Sequence, residues 1–217
     1  MAPRNRPEGR NPDDEPVVLV VDDDEDLRES LESLLRSVDL RVVAFPSARA
    51  FLEADLPHAP CCLLLDVRMP DLSGLDLQAE LAREEVKIPI VFMTAHGDVP
   101  MAVKALRSGA INFLTKPFRD QDLLDAIKPA LEMARRQHEE ARRRSDIHAR
   151  FAEVTSRERE VLGRVLTGRM NKQIAFDLGI SEVTVKIHRG NLMRKLGARS
   201  MVDLIAAADA LGLREKG

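Results

Sequence analysis

Five short apolar runs punctuate the first part of the chain: VVLVV (17–21), RVVAF (41–45), CCLLL (61–65), IPIVFM (88–93) and INFL (111–114). Runs this short and this apolar read as strands buried on both faces; alternation would be expected if one face were wet. Between them, apolar residues recur at helical spacing over Asp24–Val38, Ser47–Leu56, Leu75–Glu84 and Val99–Ser108, with a fifth helix beginning near Arg119. Five strand–helix units in succession predict an α/β domain, a five-stranded parallel (βα)5 sheet covered by helices on both sides.

The pattern then changes. The segment LEMARRQHEEARRRSDIHAR (131–150) is rich in helix formers and charge and poor in apolar residues. It is expected to extend the fifth helix as a solvated helical linker, with a kink at Pro129. From Thr155 the pattern is wholly helical: Ser156–Thr167, Asn171–Leu178, Ser181–Leu196 and Ser200–Leu211, with turns at Gly168, Gly179 and Gly197.

Charge separates these regions further. Residues 151–217 carry 12 Lys and Arg against 8 Asp and Glu, a balance of +4, whereas residues 1–150 carry 21 against 28, a balance of −7. Opposite signs in two parts of one chain suggest two tasks, one of them involving a polyanion. No apolar run approaches the ~20 residues that cross a bilayer. The polar, Pro-rich residues 1–16 contain no secretory signal pattern and are expected to be a disordered tail. Adjacent Cys61 and Cys62 would point to opposite faces of a strand, which makes them poor joint ligands and suggests buried thiols of a cytoplasmic protein.

The candidate chemistry lies at the strand ends. In an open parallel sheet, binding groups gather at the carboxyl edge. Strand one ends in Asp22, Asp23 and Asp24, strand three in Asp66, strand four in Thr94, and strand five is followed by Lys116. Several carboxylates beside other oxygen donors suit a hard cation such as Mg²⁺. Each residue alone has a plainer reading: acids oppose the dipole at a helix start, the role assigned to Glu25 and Asp26, and Lys116-Pro117 would be a surface turn. Their order along successive strands favours one site.

The motifs VDDDE (21–25), LLLDVRMPDLSGL (63–75), VFMTAHGD (91–98) and GAINFLTKPF (109–118) resemble the receiver domain of bacterial two-component response regulators, a flavodoxin-like fold. The resemblance implies that Asp66 accepts a phosphoryl group from a sensor histidine kinase. It further implies that Asp22, Asp23, Asp66 and the backbone carbonyl of Arg68 bind Mg²⁺. Thr94 and Lys116 would hold the phosphoryl oxygens, and the rotamer of Phe113 would follow the phosphorylation state. Arg68 and His96, at the rim, are candidates for setting the lifetime of the mark; solvated surface side chains are an equal account.

Residues 169–199 carry seven Lys and Arg against two acids. NKQIAFDLGISEVTVKIHRGNLMRKLG contains a helix, a glycine turn and a second helix opened by Ser181. At 100° per residue, Val185, His188, Leu192 and Leu196 share an inward stripe, with His188 read as a packed core residue, while Lys186, Ile187, Gly190, Asn191 and Arg194 face outward. A basic outer face on the second helix suits the DNA major groove. TSREREVL (155–162), residues 171–200 and the closing helix resemble the LuxR/FixJ-type helix-turn-helix domain, so the whole is similar to the NarL/FixJ class. The expected base contacts are Lys186, Ile187 and Asn191, and the expected phosphate contacts Lys172, Thr184, Arg189 and Arg194. Gly190 departs from the pattern by removing a groove-facing side chain.

The expected layout is a tail (1–16), a receiver domain (17–130), a helical linker (131–150) and an all-α four-helix DNA-binding domain (151–217). The expected function is a cytoplasmic regulator of transcription and not an enzyme beyond its own phosphotransfer and dephosphorylation, dimerising on phosphorylation to bind double-stranded DNA. No membrane partner is expected, and RNA polymerase is a further candidate partner. A phosphohydrolase of the haloacid-dehalogenase type also uses an Asp at a strand end, but its second acid would stand where this chain has Arg68, and a cap insertion is lacking. A protein- or RNA-binding adaptor would differ in having no preference for duplex DNA.

Overall fold

The computed structural model describes residues 14–95 and 99–213, leaving aside the side chains of Val99, Pro100 and Ala102. It divides into two compact units, residues 1–138 and 139–217. Apart from residues 14–16, the expected disordered tail lies outside the described residues.

The first unit contains strands β1 (Val17–Val21), β2 (Arg41–Phe45), β3 (Cys61–Asp66), β4 (Ile90–Thr94) and β5 (Asn112–Thr115). They form one parallel sheet in the order β2-β1-β3-β4-β5. Intervening helices are α1 (Glu25–Ser37), α2 (Ala48–Leu52), α3 (Gly74–Arg83) and α4 (Val99–Arg107). The alternating faces of the strands build two cores. Val17, Leu19, Val21, Leu63, Leu65 and Phe92 pack with Phe51 of α2, Leu77 and Leu81 of α3 and Ala105 of α4. Val18, Val20, Leu64, Val91 and Met93 pack with Leu31 and Leu35 of α1 and with Leu123 and Ile127 of the fifth helix. Burying each Val, Leu, Ile, Phe or Met side chain among these contributes about 1.5–3 kcal/mol. Cys61 packs against the first core and Cys62 within the second, as their adjacency requires. Cys61 is half-buried, and burial pushes the Cys62 thiol up to about 12.

Several expected boundaries shift for local reasons. Strand β2 alternates between exposed and more buried positions instead of being covered throughout, because it is the edge strand. Strand β4 begins at Ile90 rather than residue 88, since the pairing with β3 starts there. Helix α2 ends at Leu52, with Glu53 as its cap. The fifth helix, α5 (Asp120–Ala152), runs as one element through Pro129 and the whole expected linker. Pro129 lies on its exposed side, while Ala126, Ile127, Ala130 and Leu131 are buried.

The second unit contains α6 (Ser156–Leu166), α7 (Asn171–Leu178), α8 (Glu182–Leu196) and α9 (Met201–Ala210). Its core is Val161, Leu162 and Val165 of α6, Ile174 of α7, Val185, Leu192 and Leu196 of α8, and Leu204 of α9. Gly179 and Gly197 end α7 and α8 in the left-handed region, at φ 62° and 67°, where a side chain is disfavoured. Buried Glu158 joins two features: it accepts the Thr155 backbone N–H in a capping box at 2.9 Å and pairs with Lys195 Nζ at 2.7 Å. Burial by itself raises the Glu158 carboxyl, but hydrogen bonds from Lys195 and Thr155 together hold it below the usual glutamate value of 4.5.

A carboxyl depressed on folding stabilises above its unfolded value and loses that contribution as pH falls through the folded one. Glu158→Gln is therefore expected to cost the second unit about 3 kcal/mol at pH 7, and this deficit should narrow as pH drops below about 4.5. Amide hydrogen exchange in α6 and α8 measures both; a deficit independent of pH would contradict the assignment.

Candidate functional site

Register brings the chemistry to one edge. Val21 of β1 pairs with Leu65 of β3, Asp66 pairs with Met93 of β4, and Thr94 pairs with Thr115 of β5. Asp22, Asp66, Thr94 and Lys116 thus stand at or one step past the carboxyl ends of four neighbouring strands. Asp22, Asp66 and Thr94 are buried, Asp22 completely. Lys116 Nζ donates to Asp22 Oδ2 at 2.6 Å and lies 3.1 Å from Asp66 Oδ2. Its backbone N–H donates to the Thr94 carbonyl at 2.7 Å, and the Lys116–Pro117 peptide is cis.

The acidic run divides by role. Asp22 Oδ1 accepts the Asp24 backbone N–H at 3.0 Å. Asp24 caps α1 by accepting from Leu27 N–H at 3.2 Å, and Glu25 and Asp26 occupy the first turn, where acids oppose the dipole. Asp23 is exposed, and its carboxylate lies with those of Asp22 and Asp66 so that one oxygen of each falls within 4.8 Å of the others. Three carboxylates against one ammonium leave the cluster about two charges negative. The oxygen donors and the uncompensated charge fit a hard divalent cation.

Burial raises the Asp66 carboxyl above the ordinary aspartate value, the Lys116 charge opposes this, and the Asp22 charge reinforces it. For Lys116, burial lowers the ammonium, yet its hydrogen bond and attraction to Asp22 and its attraction to Asp66 outweigh that and leave it raised. The ammonium is held charged between the two acids.

The surrounding side chains support this edge. Arg68 is exposed, and its backbone N–H reaches Asp66 Oδ1 at 3.4 Å. Phe113 of β5 is half-buried, pairs with Phe92 two residues before Thr94, and packs against the first core. His96 lies outside the described residues. Three contributors were not singled out by sequence reasoning. Arg28 donates to the Asp22 carbonyl at 2.8 Å from six residues further along the chain. Buried Gln78 of α3 donates to the carbonyls of Ala105 and Ser108 at the end of α4. Gly74, first residue of α3, presses so close to β3 that a Cβ there would lie 2.2 Å from the Asp66 carbonyl oxygen. Only this glycine, inside a polar turn before a helix, left any trace in the sequence pattern.

In the second unit, Ser181 caps α8 by accepting from Thr184 N–H at 3.1 Å, and their hydroxyls share a bond of 2.8 Å. Lys172, Lys186, Ile187 and Arg194 are exposed; Thr184, Arg189 and Asn191 are half-buried. Arg189 donates to Asn171 Oδ1 at 2.6 Å, tying α8 to the start of α7. Val185, Leu192 and Leu196 form the inward stripe as expected, and His188, half-buried on it, keeps Nδ1 buried without a hydrogen-bond partner among the described residues.

Residues 18–128 match the family described as response regulator receiver domain, and residues 152–208 match bacterial regulatory proteins of the luxR family. Nodulation protein W of Bradyrhizobium diazoefficiens is 51% identical over 91% of this chain and 87% of its own length. The transcriptional regulatory protein FixJ of Azorhizobium caulinodans is 43% identical over 90% and 93%. The solved structure of the response regulator StyR superposes with a TM-score of 0.79 at 47% identity, covering 90% of this chain and 98% of that one. The chain belongs to the FixJ-class response regulators.

A response regulator with these two domains controls transcription in a phosphorylation-dependent way. No helix among its described residues is long and apolar enough to cross a membrane.

The packing of Gly74 against the strand that carries Asp66 has a direct consequence. Gly74→Ala overpacks a backbone contact that cannot yield locally, so urea unfolding of the receiver should show a loss of roughly 1–3 kcal/mol. Unchanged stability would mean that α3 is free to retreat from the sheet.

Proposed function

We propose that Asp66 is the phosphoacceptor of this response regulator and that a sensor histidine kinase is its donor. The observation that carries this is the convergence of Asp22, Asp66 and Lys116 at the ends of three strands, with a half-buried ammonium between two buried carboxylates. An Asp66 carboxylate oxygen attacks the phosphorus of the donor phosphohistidine in line. A P–O bond forms, the P–N bond breaks, and the imidazole leaves with its electron pair and takes up a proton from solvent. Lys116 and Thr94 hold the phosphoryl oxygens and offset their charge.

Asp22, Asp23, Asp66 and the backbone carbonyl of Arg68 would hold Mg²⁺, whose charge screens the repulsion between the anionic acceptor and the anionic donor. Thr94 and Phe113 form the switch. Drawing the Thr94 hydroxyl toward the new oxygens opens room on the side of the sheet where Phe113 packs, and the aromatic ring turns inward. Phosphate thereby biases an equilibrium between two receiver surfaces.

The layout proposed for these tasks is a receiver at 17–130, a helical linker at 131–150 and a DNA-binding domain at 151–217. The phosphorylated protein acts in the cytoplasm as a homodimer on paired half-sites about 34 Å apart. Lys186, Ile187 and Asn191 approach bases, Lys172, Thr184, Arg189 and Arg194 approach phosphates, and RNA polymerase is the downstream partner. The charge of the second unit and the exposed cations of α7 and α8 support this reading.

Acetyl phosphate with Mg²⁺ should phosphorylate the protein, and Asp66→Asn should abolish the added mass in intact mass spectrometry. Phe113→Ala should be modified normally yet show no phosphorylation-dependent gain in DNA affinity. Equal labelling of the Asp66→Asn protein would reject the acceptor, and a full gain in the Phe113→Ala protein would reject the switch.

Affinity for duplex DNA should fall steeply with salt as counterions are released. Replacing Lys172 or Arg194 with Ala should each flatten the log–log slope by about one, without changing sequence preference. Slopes identical to the parent's would remove these residues from the interface.

A further inference from the structure

The outward side of α8 is not what a simple basic face would present. Val183 is 66% exposed and Ile187 58% exposed. They stand four residues apart and so lie side by side. Gly190, also exposed, follows on the same stripe, and Val183, Ile187, Gly190 and Arg194 fall within about 60° of one another around the helix axis. Lys186 borders this stripe. The surface is thus a hydrocarbon strip bordered by Lys186 and ended by Arg194.

The fold itself gives no reason for the strip. The core of the second unit is built from other residues of α8, namely Val185, Leu192 and Leu196. Branched aliphatics lose rotamer freedom in a helix, and glycine is its poorest former after proline. Nothing in the chain excludes a side chain at Gly190, because a Cβ built there meets no atom within 4 Å. Three residues unfavourable to an isolated helix therefore occupy the face turned away from the core. Polar side chains elsewhere on α8 are partly engaged within the unit: Arg189 holds Asn171, and the Thr184 hydroxyl holds Ser181.

The hydrocarbon on the floor of the major groove of unmodified DNA is the thymine 5-methyl group. We propose that α8 selects its half-site through thymine methyls packed against Val183 and Ile187, with the bare Cα of Gly190 letting the helix backbone approach the base edges closely. This rests on the DNA-binding reading above and names the chemistry that the interface recognises. Arg194, at the end of the strip, and Lys172 of α7 supply orientation through the phosphates, and the strip supplies discrimination by shape and methyl placement.

The test uses the full chain phosphorylated with acetyl phosphate and Mg²⁺, and a pool of random duplexes from which bound sequences are enriched. An enriched duplex is then remade with deoxyuridine replacing thymidine at one position at a time. At one or more thymines in each half-site, loss of the methyl should weaken binding about fourfold. In Val183→Ala or Ile187→Ala, the thymidine and deoxyuridine forms should bind alike at the position that residue covers. Gly190→Ala should keep or raise helix stability by circular dichroism while weakening binding to both forms about tenfold or more. Equal affinity for deoxyuridine at every position, or a difference unchanged in both aliphatic variants, overturns the methyl contact. Undiminished binding by Gly190→Ala overturns the close approach. If no duplex is enriched, the DNA-binding reading fails along with it, which separates the two outcomes.

Discussion

Two buried carboxylates at the end of a hydrophobic sheet are tolerable only if positive charge reaches them, and Lys116 is the charge that does. Its ammonium spans Asp22 and Asp66 from the far end of β5, and the three strands involved are not all neighbours. An unpaired carboxylate in such a place would cost several kcal/mol. Even with the lysine in place, the three acids of the cluster outnumber it, so the site retains an appetite for cations. That imbalance is what makes the edge chemically useful: the structure holds the charges close and leaves the last part of their neutralisation to something bound.

Much of the receiver can be understood as support for that edge. The strand cores on either face are packed by aliphatic side chains from all five helices, which keeps the strand register rigid and therefore the strand ends in place. Arg28 fixes the backbone at Asp22, Gly74 lets α3 lie against the backbone of Asp66, and Gln78 holds the end of α4. The helical unit has its own core and its own buried pair, Glu158 with Lys195, used in a different way: there Oε2 takes both the cap N–H and the ammonium, and one negative charge is matched by one positive charge. One pair is finished and structural; the other is unfinished and open to a ligand.

The sequence made some of this legible and hid the rest for physical reasons. Strand existence was clear because central parallel strands bury both faces and leave unbroken apolar runs; β2 blurred that signal because an edge strand is covered less evenly. The acidic run could not be divided by composition alone. Asp22 and Asp24 have the same side chain, and only the turn into α1 sends one into the core edge and the other back onto a helix N–H. Arg189 looked like a free cation on a basic helix, but its guanidinium is engaged by Asn171, eighteen residues earlier. Pro129, where a kink was expected, stands inside the continuous α5 on its exposed side, where proline removes one hydrogen bond while buried neighbours keep the helix anchored.

By itself, then, the sequence determined the elements, their order and the residue types at each strand end, since periodicity and capping are local properties of the chain. Tertiary structure alone decided which charges meet, because the distance between Lys116 and Asp22, 94 positions apart, depends on strand order and register. It also decided which identical side chains are buried, where glycine is required for close approach and which aliphatics are left facing outward. Those outcomes depend on packing against distant segments, and no local pattern contains that information.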